Sequence, residues 1–449
     1  MIWIGLWPQW SVRVKPVKIG LLGIGTVGSG TFRVLERNRE EITRRAGRRI
    51  EIAWVAARNL ERARQIVGPD VPVTDDVMRV VRDPEIDIVV EVIGGTGVAK
   101  DAILTAIEHG KHIVTANKAL LATQGNEIFA AAGKRSVIVA FEGAVSVCIP
   151  IIKALREGLT ANRIEWIAGI INGTSNFILS EMRERGLPFE EVLREAQRLG
   201  YAEADPTFDV EGIDAGHKIT LLSAIGFGIP VQFDRAYVEG IAALTDRDIT
   251  YAEELGYRIK LLGITRRTTD GIELRVHPTL IPAQRLIASV EGAMNAILVK
   301  GDAAGVTMYY GAGAGSEPTA SAVIADVIDV TRLMESEPEE RVPHLAFQPD
   351  ALSAVRILPM TEVETSYYLR LRVKDQVGAL ADIARELADC EISIDAMLQK
   401  GPADGDGETD IVILTHRTRE RNLQRAIEGL VKLPTVRETY SRIRREDLG

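Results

Sequence analysis

The sequence predicts an α/β protein in three parts. These are an N-terminal doubly wound parallel sheet, an α+β middle domain, and a C-terminal ferredoxin-like βαββαβ domain. Three observations carry the prediction. Short apolar segments alternate with helical ones over 17–150, the pattern of parallel strands joined by crossover helices. A Gly-x-Gly-x-x-Gly run at 23–28 stands between the first strand and the first helix. Over 364–445 the periodicity runs strand, helix, strand, strand, helix, strand.

The first domain, 17–150, opens with VKIGLLGIG, a buried strand running into glycines, and continues in a helix over 27–46. IEIAWVAA (50–57) is a strand, 59–67 a helical stretch, and IDIVVEVIG (86–94) a further strand. A helix over 98–109, HIVTA (112–116) and SVIVAFEG (136–143) follow. In the second domain, 151–310, the alternation lapses. Helical stretches at 151–158, 176–185 and 189–199 mix with strand-like RIEWIAGI, IELRVHPTLI and NAILVKG. GAGAGSEPTASAVIADVIDV (311–330) is a glycine turn feeding a helix capped at Ser316 or Thr319, and 311–333 is expected to return to the first domain. Residues 334–363 hold four prolines and the acidic run ESEPEE, and are read as a linker.

In the last domain SYYLRLRVK alternates, placing Tyr367, Leu369, Leu371 and Val373 on one face. A helix over 379–389 keeps Leu380, Ile383, Ala384 and Leu387 in register. A strand near 391–399, the loop GPADGDGE, the strand TDIVILTH, a helix near 419–431 and a strand near 435–442 complete it.

Composition narrows the function. A chain of 449 residues fits about three domains. The net charge of -9, from 54 basic and 63 acidic residues, argues against nucleic acid or an anionic membrane as partner. No apolar run approaches the roughly 20 residues of a membrane span. Cys148 and Cys390 are too few for a disulfide framework or thiolate zinc site, so a cytoplasmic protein is expected. The opening MIWIGLWPQWSVRVKP, with Trp3, Trp7 and Trp10, lacks the basic start of a secretion signal and is expected to be a poorly ordered extension. The six histidines have no metal spacing, and His217 is read as helix surface.

The glycine run reads as a dinucleotide site of Rossmann type. Gly23 permits the tight turn, Gly25 lets a pyrophosphate approach the backbone, and Gly28 allows close helix–strand packing. Thr26 and Val27 begin the helix whose free N–H groups face the phosphates. The second strand ends Val55-Ala56-Ala57-Arg58 without an acid for a ribose hydroxyl. Arg58 there favours NADP over NAD. Gly94 and Thr96 close the next major strand at the carboxyl edge, where such sheets bind ligands.

A helix over 213–226 puts Asp214 and Lys218 one turn apart. Its apolar sides predict burial, so the pair is expected inside the molecule or lining a cleft. A positioned ammonium suits carbonyl reduction, where charge builds on oxygen as hydride arrives.

HIVTANK (112–118), NGTSN (172–176), GYAEADP (200–206) running on to Asp209, GIDAGHK (212–218) and GAGAG…PTASAV are colinear motifs that resemble homoserine dehydrogenase over 17–330. The resemblance implies NAD(P)H-dependent interconversion of L-aspartate 4-semialdehyde and L-homoserine, on the route to threonine, methionine and isoleucine. It implies Lys218 as proton donor and Lys118 as a second lysine near nicotinamide and substrate. Glu203 and Asp214 would hold the substrate, Asn172, Gly173 and Thr174 line its pocket, and Gly200 and Gly315 touch the cofactor. It also implies a monovalent cation, sodium, bound by Glu142 and the carbonyls of Val145, Val147 and Ile149, although many relatives have glycines where Val147 and Cys148 stand. The C-terminal order, with DQVGAL at 375–380, resembles an ACT domain. That implies L-threonine as effector, and the family implies a homo-oligomer. Two rival readings are a catalytically silent NADP-sensing regulator and another amino-acid dehydrogenase on the same fold.

Overall fold

The computed structural model describes residues 15–400 and 407–449, so Trp3, Trp7, Trp10 and most of the GPADGDGE loop lie outside the described residues. Six parallel strands form the first sheet. In spatial order they are Val73–Thr74, Ile50–Ala56, Val17–Leu22, Ile88–Glu91, His112–Thr115 and Val139–Ala140. Val17–Leu22 pairs with Ile50–Ala56 on one side and Ile88–Glu91 on the other. Strand order reverses there, which opens a crevice at the carboxyl ends. The central strands are apolar because helices cover both faces.

Several elements differ from expectation. The helix expected over 27–46 is two, Thr26–Arg37 and Arg39–Ala46, broken at Asn38 (φ -106°, ψ 19°). The sequence reading names no helix between 116 and 136, yet Lys118–Arg135 is one, capped by Asn117 Oδ1 accepting from Leu120 N at 3.1 Å. The short Val73–Thr74 strand and the Val77–Arg82 helix were also not foreseen. Neither Ser316 nor Thr319 caps the Ser316–Leu333 helix; its N-cap is Gly315. Ser316 Oγ instead donates to Thr26 O at 2.6 Å, and Thr319 Oγ1 to Gly315 O. This ties the helix to Thr26–Arg37, and Val323 and Val327 join the core of the first sheet.

The second sheet has eleven strands and runs from the middle domain into the C-terminal one. From one edge it passes through Gly305–Ala312, Met294–Gly301, Ile164–Ile170, Tyr257–Arg267 and Ile272–Pro282, then Val436–Arg445, Glu364–Lys374, Glu408–Thr415 and Ile394–Gln399. Tyr257–Arg267 and Gly305–Ala312 were missed in the sequence. The junction is parallel, with Thr279 opposite Arg444 and Leu280 opposite Arg445. Buried ion pairs cross it: Arg444 Nη1 lies 2.8 Å from Glu239 Oε2, and Arg275 Nη2 lies 2.6 Å from Glu446 Oε1.

The C-terminal domain has the βαββαβ order. Tyr367, Leu369, Leu371 and Val373 pack under the helices Ala379–Asp389 and Glu420–Leu430. The opposite face is buried too. Tyr368 and Arg370 reach Asp248 of the middle domain, with Arg370 Nε donating to Asp248 Oδ1 at 2.7 Å.

Residues 334–363 are a fastened strap with short 3-10 turns. Arg341 donates to Ser136 O, His344 Nε2 accepts from Val139 N, and Ser353 N donates to Gly228 O at 2.7 Å. Among the described residues, no helix is long and apolar enough to cross a membrane.

Candidate active site

The helix Ile213–Phe227 is buried from Asp214 to its end, because apolar residues occupy nearly every side of it. Burial on all sides forces its polar residues to pair. Lys218 Nζ lies 2.6 Å from Asp214 Oδ2 and donates to Ile171 O at 2.7 Å. Lys118, at the start of its own helix, reaches the other oxygen of Asp214 at 3.2 Å. Asn172 Nδ2 donates to Asp214 Oδ2 at 2.9 Å and to Asp209 Oδ1 at 2.7 Å. One carboxylate therefore gathers two lysines and an amide from three separate elements.

The electrostatics follow from this packing. Burial pulls the Lys218 pKa down, against the attraction of Asp214, and Lys118 pushes the same way as burial. Burial alone would raise the Asp214 carboxyl, but Lys218 and Lys118 outweigh it and hold it below the usual carboxylate range. Burial raises Asp209, with Asp214 adding to the effect. The result is a fixed negative charge beside an amine whose pKa burial has lowered.

The glycine turn lies at the carboxyl edge of the first sheet. Gly23 has φ +102°, a backbone region few other residues tolerate. A Cβ on Gly28 would lie 2.1 Å from Gly23 O, so only glycine lets the helix approach the strand. A Cβ on Gly25 would meet nothing within 4 Å, leaving open space in front of the helix N-terminus. A diphosphate needs that combination of free N–H groups and room. Gly94 and Gly95 also have positive φ and open surroundings. Glu91, which the sequence reading did not single out, holds them by accepting from the N–H groups of Ile93 and Gly94, each at 3.0 Å. Asn117 Nδ2 donates to Gly95 O at 2.7 Å, linking this turn to the residue before Lys118.

Known proteins resemble the chain over nearly its whole length. The homoserine dehydrogenase NAD-binding-domain family matches 23–142, the homoserine dehydrogenase family 150–328, and the ACT domain family 367–434. A homoserine dehydrogenase of Pseudomonas aeruginosa is 60% identical over 435 residues, covering 97% of this chain and 100% of that protein. The chain belongs to the homoserine dehydrogenase family.

It is an oxidoreductase with an NAD(P)-binding domain and a C-terminal ACT domain. The crystal structure of a homoserine dehydrogenase from Thiobacillus denitrificans superposes with a TM-score of 0.93 at 65% identity, covering 97% of this chain and 99% of that one. A hyperthermophilic archaeal homoserine dehydrogenase in complex with NADPH superposes with a TM-score of 0.61 at 25% identity, over 70% of this chain and 98% of that one.

The remaining expected site residues of this homoserine dehydrogenase family member separate into two groups. Thr174 sits near the cluster, its Oγ1 donating to Tyr201 O at 2.7 Å. Gly173 opens the helix that Asn172 caps, where a Cβ would lie 2.8 Å from Ala293 O. Gly315, with φ +138°, begins the Ser316–Leu333 helix beside Thr26. Gly200, with φ +78°, ends the Phe189–Leu199 helix in an exposed loop. Arg58 and Thr96 are exposed at the carboxyl edge of the first sheet.

Glu203 is not brought to the lysines. Its side chain is exposed, and its carbonyl accepts from Gln197 Nε2. The second acid near Lys218 is Asp209, to which the sequence reading gave no role although it stands just past the GYAEADP motif.

His217 corrects its sequence reading as helix surface. It is 5% exposed and sits between Phe208 and Phe233, ring centroids 5.3 and 4.3 Å away. The helix is sheathed on that side by the segment carrying Phe208, which periodicity within the helix cannot reveal.

The loop expected to ligate a cation is largely buried. Glu142 accepts from Ile152 N and Lys153 N, each at 2.9 Å, and burial raises its pKa to about 7. Ser146 and Val147 have φ near +50°, a left-handed region strained for a β-branched valine. Ser146 Oγ is buried without a partner, and Ile149 O accepts from Ile151 N. Among the described residues, no cluster of three or more His, Cys, Asp or Glu could hold a metal ion. Oxygen ligation here would therefore rest mainly on carbonyls.

Proposed function

We propose that the protein reduces L-aspartate 4-semialdehyde reversibly to L-homoserine in the cytoplasm, on the route to threonine, methionine and isoleucine. The observation that carries this reading is the Lys218–Asp214–Lys118 cluster, in which Lys118 follows the carboxyl end of the His112–Thr115 strand of the dinucleotide sheet. A reduced nicotinamide, when bound, supplies the hydride. Lys218 gives a proton to the oxygen as negative charge develops on it, aided by a pKa that burial has lowered. Asp214 keeps both amines in place, and Lys118 adds positive charge beside the reacting oxygen. Asn172, Gly173 and Thr174 would line the pocket, Asp214 and Glu203 would hold the substrate's polar groups, and Asp209, bonded to Asn172 beside Asp214, adds a further acid there.

Gly23, Gly25, Thr26, Val27 and Gly28 would hold the diphosphate, with Gly94, Thr96, Gly200 and Gly315 along the cofactor. Exposed Arg58, at a strand end lacking an acid, supports NADP over NAD. The archaeal relative's NADPH complex supports it as well.

Glu142 and the carbonyls of Val145, Val147 and Ile149 would ligate sodium, and the orphaned buried hydroxyl of Ser146 fits an oxygen-lined site. L-Threonine would occupy a cleft of about 400 Å³ at the ACT helix start, beside Asp375, Gln376 and Gly378. Gly378 has φ +91° and open space around it. The outer strand Gly305–Ala312 is paired on one side and exposes Val306 and Tyr310, which supports a homo-oligomer.

The test is NADP+ reduction by the purified protein with L-homoserine, repeated on Lys218→Ala. A loss of roughly 100- to 10,000-fold in kcat with an unchanged circular dichroism spectrum is expected. A variant turning over at the parent rate overturns the assignment of Lys218. Unchanged rates across millimolar L-threonine overturn the effector assignment.

A further inference from the structure

A cavity of about 870 Å³ lies between the second half of the Lys118–Arg135 helix and the strap. Its wall includes residues 136–138, which lead into Val139–Ala140 and so stand at the amino edge of the parallel sheet. The glycine turns stand at the carboxyl edge, so this cavity is separate from the candidate active site. Its size suits a small organic molecule, for which pockets run roughly 300–1,000 Å³.

Phe129, Leu345, Phe347 and Leu352 supply apolar surface, and the Phe129 ring stacks on His344 at 5.7 Å. The charged lining is Lys134, Arg156 and Arg341 against Glu339 alone. Arg341 donates from Nε and Nη2 to the carbonyls of Met334 and Ser336 and once from Nη1 to Ser136 O, which leaves the second Nη1 hydrogen for a ligand. Arg156 donates from Nη2 to Val342 O at 3.2 Å, and its Nε is buried without a partner. Asp326, Glu157 and Glu142 act on Arg156 only from beyond ion-pair distance, and burial lowers its pKa despite them. Two guanidiniums with no carboxylate partner among the described residues thus border one apolar chamber. Sequestered cations normally take a counter-charge, and guanidinium forks suit a carboxylate.

We propose that this cavity binds a small amphipathic anion, a carboxylate carrying an apolar ring or chain. The carboxylate lies against Arg156 and Arg341, and the apolar body against Phe129 and Leu352. The occupant touches the first domain and the strap at once. Phe347 of the strap packs over Gly228, where a Cβ would lie 2.6 Å from the ring, at the end of the helix that carries Lys218. The ligand would therefore bridge the dinucleotide domain to the catalytic helix.

Calorimetric titration of the full chain with phenylacetate, under saturating NADPH and L-homoserine, a pair that fills the substrate site without turning over, tests the proposal. Binding with a Kd of roughly 1 mM or tighter is expected, and phenylacetamide, equal in shape but uncharged, should bind at least about tenfold more weakly. Arg156→Gln should weaken phenylacetate by a similar factor. A Cβ on Gly133, in the cavity wall, meets nothing within 4 Å, so Gly133→Trp should fill the chamber and abolish binding without lowering Tm. No heat at 10 mM phenylacetate, equal binding of acid and amide, binding unaffected by Gly133→Trp, or binding lost when the substrate site is saturated would each overturn it.

Discussion

The Lys218 ammonium lies 2.6 Å from Asp214 Oδ2, one helical turn away, and the pair is sealed on a helix buried throughout. The same carboxylate holds Lys118 at 3.2 Å. Asp214→Asn would leave two amines crowded together with only Asp209, bonded to the neighbouring Asn172, as a compensating charge. We expect a stability loss of about 3–5 kcal/mol by urea denaturation. Turnover should fall at least about 100-fold even at temperatures where the variant stays folded. Parent-like stability would mean that Asp214 is not the partner on which both lysines depend.

Two glycines of the dinucleotide turn should respond oppositely to the same change. Gly28→Ala puts a methyl 2.1 Å from Gly23 O, a backbone atom that cannot yield without moving the turn. Tm should fall, with a cost of about 1–3 kcal/mol. Gly25→Ala meets nothing in the protein and should keep the parent Tm. In the proposed site its methyl would occupy the diphosphate's space, so KM for the proposed cofactor NADPH should rise at least about tenfold. Thermal melts and initial rates on the two variants separate these outcomes.

Acid should destabilise the protein through three buried histidines, outweighing the opposite pull of Glu142, whose raised pKa favours the folded state as it protonates. Burial holds His112, His217 and His344 each down to about 4 from an ordinary 6.5. Between those values the unfolded chain binds protons that the native state refuses, so stability is complete above pH 6.5 and falls as pH drops toward 4. The urea midpoint should decline steeply from pH 7 to 5, and His344→Gln should flatten that decline. An identical slope in the variant would remove His344 from the effect.

Arg444 is fully buried and pairs with Glu239 at 2.8 Å and Glu420 at 2.6 Å. Arg444→Met would strip both acids of their fully buried partner at the joint between the middle and ACT domains, leaving only the more exposed Arg442 to hold them. A loss of about 3–5 kcal/mol is expected. Hydrogen exchange should quicken first along Ile272–Pro282, and uniform exchange throughout the chain would contradict a local role for the pair.

Local signals made much of this molecule legible. The glycine run, the i,i+4 spacing of Asp214 and Lys218, and the alternation in SYYLRLRVK each depend on near neighbours in the chain, and the structure places them as read. What escaped depends on contacts between distant segments. His217 is covered by Phe208 and Phe233, which no pattern within its helix announces. Asp209 joins the lysine cluster only through Asn172, on another element. The Lys118–Arg135 helix carries Gly125 and Gly133 and little amphipathic contrast, so its capping by Asn117 was the better clue. Glu203 was placed by motif similarity alone and lies exposed.

The pairing of Val436–Arg445 with Ile272–Pro282 bears on how such a chain can be divided. A gene fragment ending near 363 would encode a middle domain with a raw sheet margin and an Arg275 stripped of Glu446. Swapping the tail for that of a cousin enzyme would succeed only if the graft carried the matching acids and arginines. In this chain the C-terminal and middle domains share one sheet, so a cut between them bares a strand edge and orphans buried charges on both sides.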